Sequence, residues 1–146
     1  MKTPSLSSET VHASCVAIGG RAVLLGGRSG QGKSDLAVRL IDRGAALVSD
    51  DYTLVRRQNG RLIACAPDTI AGKIELRGVG ILEYPAVRDM PVALFVDLDL
   101  KSSRLPDVNE KRMVAGIAIP VVGLNAHEPS APIKVEAALR LFGLKD

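Results

Sequence analysis

An α/β domain with a mixed, strand-rich sheet is the fold the sequence predicts, and three observations carry that reading. Short apolar runs punctuated by glycine or Asn-Gly outnumber the helical segments. Two segments, Ser34 to Arg43 and Ile133 to Leu144, carry apolar residues at helical spacing. A glycine-rich stretch, Gly27 to Ser34, joins an apolar run directly to the first of those helices. The chain has 146 residues, 47% of them hydrophobic, which suits one domain spanning 1–146 with one core.

Taken in order, Met1 to Glu9 is rich in Ser, Thr and Pro and reads as a loose lead-in. Val11 to Ile18, Gly19-Gly20 and Arg21 to Leu25 read as strand, tight turn and strand. Gly44 stands where the first helix needs a C-terminal cap. Leu47 to Ser49 is a short buried strand running into Asp50-Asp51. Tyr52 to Arg57 and Leu62 to Ala66 flank Gln58-Asn59-Gly60, a hairpin signal. Ile74 to Leu76 and Ile81 to Tyr84 are extended pieces on either side of Arg77-Gly78-Val79-Gly80. Val92 to Leu100 is another strand, Lys101 to Arg112 a charged surface loop, and Val114 to Val122 a return to the core.

Composition narrows the function. Net charge is +3, from 19 basic and 16 acidic residues. The basic residues are dispersed and aromatics make up only 3%, so neither a phosphate-tracking stripe nor a base-stacking platform for nucleic acid is present. No apolar run has membrane-span length, and MKTPSLSSET has no apolar signal core. Cys15 and Cys65 lie in apolar runs without a CxxC or Cys/His cluster, which reads as two buried, reduced thiols in a cytoplasmic protein.

The glycine stretch carries the strongest chemical signal. Gly27-Arg28-Ser29-Gly30-Gln31-Gly32-Lys33-Ser34 satisfies G-x-x-x-x-G-K-[ST] in full, after a strand and before a helix. Glycines let the backbone fold into a nest of N–H groups facing an anion, and the helix N-terminus adds its positive end. Lys33 is placed to reach the β- and γ-phosphates of a nucleoside triphosphate, and the Ser34 hydroxyl to ligate Mg²⁺. Asp35, on the first helical turn, suits either the helix dipole or a supporting carboxylate near the metal.

Asp50 and Asp51 close a short apolar strand, where P-loop proteins carry a metal-orienting carboxylate. One can orient Mg²⁺ and the other accept a proton from a hydroxyl nucleophile. A polar turn after a strand is the plainer alternative. His12, alone in its segment, reads as structural or surface. Glu75 and Arg77 lie two apart, on one face of an extended segment, among glycines that permit close approach to a ligand. A solvated edge strand with an ion pair would look the same.

Together these residues resemble the catalytic domain of bifunctional HPr kinase/phosphorylase. The shared features are His12 ahead of the loop, the loop Gly27 to Ser34 followed by Asp35, the strand end Leu47-Val48-Ser49-Asp50-Asp51, and Glu75-Leu76-Arg77-Gly78-Val79-Gly80-Ile81. The resemblance is strong over Val11 to Tyr84 and loose beyond. It implies a nucleotide-binding fold akin to that of phosphoenolpyruvate carboxykinase, in a truncated form lacking the family's N-terminal domain. It implies ATP and Mg²⁺ as cofactors and a serine of an HPr-like phosphocarrier protein as acceptor. A phosphorylase reaction using inorganic phosphate and a homo-oligomeric state belong to the same set of implications.

By position, the resemblance makes Asp50 the base and Asp51 the metal-side partner, with Lys33, His12 and Arg77 catalytic. Ser34, Asp51 and Glu75 would then form the metal side. Arg104 is aligned with an arginine that stabilises the transferring group. The family's Gly-Arg-Asn reads Gly123-Leu124-Asn125 here. Two other readings of the same motifs are a P-loop kinase or ATPase with a different acceptor, and a nucleotide-sensing binding module.

Overall fold

The computed structural model describes residues 7–28, 30–100, 106 and 110–145. Three antiparallel-type strands open the chain: β1 (Ser8–Val11), β2 (Ala13–Ile18) and β3 (Arg21–Gly26). The β2–β3 turn places Gly19 and Gly20 at φ 58° and 83°, a left-handed pair that matches the twist of the flanking strands. The lead-in is not loose throughout, because Ser8 and Glu9 belong to β1. That strand pairs antiparallel with β5 (Thr53–Gln58), Ser8 opposite Arg56. The ladder uses backbone groups, so a polar segment can carry it. The Glu9 carboxylate adds a tie by accepting the Ala115 N–H at 2.6 Å.

Helix α1 (Lys33–Asp42) ends where its glycine requires. Gly44, at φ 112°, donates to the Ile41 carbonyl and Ala45 to the Leu40 carbonyl, which closes the helix with two reversed hydrogen bonds. Strand β4 (Ala46–Ser49) follows, then β5, whose hairpin to β6 (Arg61–Cys65) turns on Asn59 and Gly60 at φ 54° and 76°. Strands β7 (Lys73–Leu76) and β8 (Gly80–Glu83) pair only with each other among the described residues. Strand β9 (Met90–Asp97) stops at Asp97, whose Oδ1 accepts the N–H groups of Asp99 and Leu100 and bends the chain away.

The charged loop does not run to Arg112, because Lys111 and Arg112 already belong to a strand. The return to the core is made by β10 (Lys111–Val114) and β11 (Ile117–Gly123), with a turn at Ala115 and Gly116 of φ 46° and 82°. The last helix, α2 (Ala131–Phe142), starts two residues before the apolar periodicity, because Pro132 in its first turn loses no hydrogen bond there.

Among the described residues, nine strands form one mixed sheet: seven follow the order β1-β5-β6-β9-β3-β2-β4, and β11 joins at β9 with β10 beside it. Strand β9 lies parallel to β3 on one edge. Its other edge is shared: the start pairs with β6 and the end runs parallel to β11. Strands β3, β9 and β11 are therefore parallel neighbours, and the loops leaving their C-terminal ends gather on one side, where ligands bind in open α/β sheets.

Side-chain alternation builds a core on each face of the central strands. Val23 and Leu25 of β3 pack towards the helices with Leu36, Leu40, Val135 and Leu139. Ala22 and Leu24 turn the other way, towards Val55, Leu62, Phe95 and Ile119. Each fully buried leucine contributes roughly 2 kcal/mol relative to exposure, so the two faces fix the sheet that carries the loops. Among the described residues, no helix is long and apolar enough to cross a membrane.

Candidate active site

The glycine loop links β3 to α1, and its opening is tightly packed. A Cβ on Gly26 would lie 2.4 Å from the Phe95 ring, over which the Arg112 guanidinium sits at 4.2 Å. Gly30 and Gly32 both have φ 89°, a conformation that side chains strain against. Lys33 is 6% exposed, and its Nζ donates back to the Gly27 carbonyl at 2.8 Å. The Lys33 side chain therefore spans the mouth of its own loop. Gly30, Gly32, Lys33, Ser34 and Asp35 form one wall of an open cleft of about 580 Å³.

The facing wall holds the paired aspartates, and their surroundings differ. Asp50 is 9% exposed. Its Oδ1 accepts the hydroxyls of Ser34 at 2.6 Å and Ser14 at 2.9 Å, and its Oδ2 accepts the Glu75 N–H at 3.2 Å. Asp51 is half exposed, with Oδ1 at 3.0 Å from His12 Nε2 and 3.8 Å from Lys33 Nζ. Its backbone is strained: φ is 65°, and the Tyr52 N–H reaches over it to the Asp50 carbonyl at 2.7 Å, a γ-turn rarely adopted by non-glycine residues. The turn sends successive carboxylates in different directions, one inward to Ser34 and one outward into the cleft. The Asp51 N–H donates to Ser14 Oγ at 3.0 Å, so a single buried hydroxyl fixes both aspartates.

His12 occupies the break between β1 and β2 and stacks on Tyr52, ring centroids 5.0 Å apart. His12 lines a second cavity of about 410 Å³ with Gly26, Gly27 and Arg28, and it reaches the cleft only through its contact with Asp51. Glu75 and Arg77 line the cleft from β7 and the turn after it. Arg28 is directed away, its N–H and Nε on the Asp99 carboxylate at 3.0 and 3.2 Å. Gln31 closes the loop through its N–H to the Arg28 carbonyl. Ser29 and Arg104 lie outside the described residues.

The donor set suits a hard cation. Ser34 and Asp50 offer adjacent oxygens, while no group of three or more His, Cys, Asp or Glu side chains forms a ready cage among the described residues. Mg²⁺ bound with nucleotides takes one or two protein oxygens and completes its shell with phosphate and water. Three participants were not legible in the sequence. Ser14, Arg39 and His127 belong to no motif, although a wholly buried serine in an otherwise apolar strand is itself a signal.

Strand, glycine loop and helix, with a buried carboxylate on the loop serine, define a P-loop domain. Residues 5–140 match the model of the HPr serine kinase C-terminal domain, and the chain belongs to that family. It is 32% identical to the HPr kinase/phosphorylase of Geobacillus thermodenitrificans, over 99% of this chain and 56% of that protein. With the Limosilactobacillus reuteri HPr kinase/phosphorylase it shares 33% identity, over 92% of this chain and 44% of that protein. The structure of the Hpr(Ser) kinase/phosphatase from Coxiella burnetii matches with a TM-score of 0.77 at 28% identity, covering 90% of this chain and 94% of that one. The chain thus spans about half the length of the curated relatives it matches from end to end. The α/β class with a strand-rich mixed sheet is the one the sequence predicted.

Proposed function

We propose that this chain is a protein-serine kinase that transfers the γ-phosphoryl group of ATP to a serine of an HPr-like phosphocarrier protein. One observation carries the reading: Lys33, Ser34 and two differently placed carboxylates converge on one cleft at the glycine loop. Family membership and the relatives' names support the choice of acceptor.

The geometry favours exchanging the roles that the resemblance gave the two aspartates. Asp50 is buried on the Ser34 hydroxyl, which suits the metal side. Asp51 is open to the cleft and held by His12, which suits the base. In the forward step the acceptor serine loses its proton to Asp51, and its oxygen forms a bond to the γ-phosphorus. The bond from that phosphorus to the β,γ-bridging oxygen breaks, and ADP leaves with the electron pair. Lys33 offsets negative charge on the β- and γ-phosphates, and His12 holds Asp51 in position. Ser34 and Asp50 would hold Mg²⁺, which would supply charge neutralisation for the phosphates. Glu75, placed at the cleft rim, completes that side.

The test is transfer of ³²P from γ-labelled ATP with Mg²⁺ to a purified HPr-like phosphocarrier protein. Label on the wild-type acceptor and none on its Ser→Ala variant is the expected result. ATP binding without any labelled acceptor would remove the kinase reading.

A further inference from the structure

The end of the cleft away from the aspartates is closed by the loop after β11, and this loop is held by its backbone. Arg39 of α1 donates to the carbonyls of Ala126 and, at 3.2 Å, Glu128, on either side of His127. Asn125 Oδ1 accepts the His127 N–H at 2.9 Å, and Lys134 of α2 pairs with the Glu128 carboxylate at 2.5 Å. The loop is thus clamped to both helices. The His127 imidazole, by contrast, is exposed and makes no hydrogen bond within the described residues. It lines the cleft over Gly32, where an added Cβ would meet its Cε1 at 3.5 Å. A pinned backbone that presents an unengaged ring to a cleft is the arrangement of a ligand contact.

The ligand's orientation follows from the strand order. Asp50 and Asp51 leave β4, beyond β2 on one side of β3, whereas His127 leaves β11, beyond β9 on the other side. Lys33 Nζ faces Asp51 and Ser34 Oγ faces Asp50, which sets the reacting phosphate at the aspartate end. A nucleotide lying across the loop then carries its nucleoside towards His127. A base needs a flat partner, and His127 bears the one ring among the described residues lining the cleft.

We propose that His127 is the nucleoside-recognition residue of this cleft, its imidazole packing against the base of the nucleotide whose phosphates occupy the glycine loop. The proposal rests on the nucleotide reading above and is separable from it by titration calorimetry with two probes. Mg-ATP carries phosphates and base; Mg-pyrophosphate carries phosphates alone. His127→Ala is expected to weaken ATP binding about tenfold, within the range of base–ring stacking, and to leave pyrophosphate binding and melting temperature unchanged. His127→Phe, which keeps a ring without hydrogen-bonding nitrogens, restores most of the ATP affinity. An unchanged ATP affinity in His127→Ala overturns the proposal, as does a parallel loss for both probes or a Phe variant no better than Ala. Wild-type protein that fails to bind ATP overturns the nucleotide reading itself and this inference with it.

Discussion

The two ends of the cleft are organised on opposite principles. At the aspartate end the functional side chains are fixed by other side chains: Ser14 and Ser34 hold Asp50, while His12 and Lys33 border Asp51 on a strained turn. At the β11 end the backbone is fixed by Arg39 and Asn125, and the His127 ring is left to the ligand. A group that must take a proton in a set direction needs its own atoms restrained, whereas a group that packs against a planar surface needs only its position. Substitutions at the aspartate end should therefore change rate, and those at the β11 end affinity.

The sharpest break comes at the loop itself. Lys33→Ala is expected to lower phosphoryl transfer by roughly 10⁴-fold, because no other cation among the cleft-lining residues bridges the loop to Asp51. Labelled transfer to the acceptor reads this directly, and near-normal turnover would dismiss the loop assignment. Next in size is Asp51→Asn, with a loss of roughly 10³-fold in transfer, typical of removing a positioned base. Calorimetry on the same variant should show ATP affinity close to wild type, since Ser34, Asp50 and the loop remain.

Ser14→Ala sharpens the comparison from beneath. It removes one bond to Asp50 and strips the Asp51 N–H of its acceptor, so stability should fall by about 1–2 kcal/mol in urea titrations. Transfer should fall about tenfold, as both carboxylates loosen. A variant with full stability and full rate would show that the hydroxyl fixes neither aspartate. The smallest effect concerns Cys15, one residue further along β2 and wholly buried, whereas Cys65, also expected inside, is only partly covered at the end of β6. Burial pushes the Cys15 thiol pKa well above the usual range, so the reactive thiolate is scarce at neutral pH. In the native protein a disulfide reagent should leave Cys15 unmodified for as long as the fold persists, and mass spectrometry after unfolding should find it modified.

Much of this was legible because local rules decided it. The glycine loop, the Asn59-Gly60 and Gly19-Gly20 turns and the Gly44 cap are positions where backbone conformation dictates residue type. Strand β1 was not legible, since a ladder of backbone bonds with β5 stabilises Ser8 and Glu9 without any apolar pattern. Strand β10 escaped for a related reason: Lys111, Arg112 and Met113 are exposed and are held by backbone pairing with β11. The two aspartates were legible as a pair but not in their separate surroundings. Which of them faces Ser34 depends on a γ-turn at the end of β4, and sequence spacing does not encode it. His127 reaches the glycine loop, and Arg39 the segment that carries His127, only through the parallel placement of β11 beside β9, which is long-range information.

In the proposed mechanism Asp51 takes the proton while Asp50 serves the metal side. The most direct measurement is single-turnover transfer from γ-labelled ATP by Asp50→Asn and Asp51→Asn side by side, across a Mg²⁺ titration. Asp51→Asn should saturate at wild-type Mg²⁺ and transfer slowly at every concentration; Asp50→Asn should need more Mg²⁺ and recover rate as it is supplied. The reverse pattern, with Asp51→Asn rescued by Mg²⁺ and Asp50→Asn inert throughout, would contradict the account.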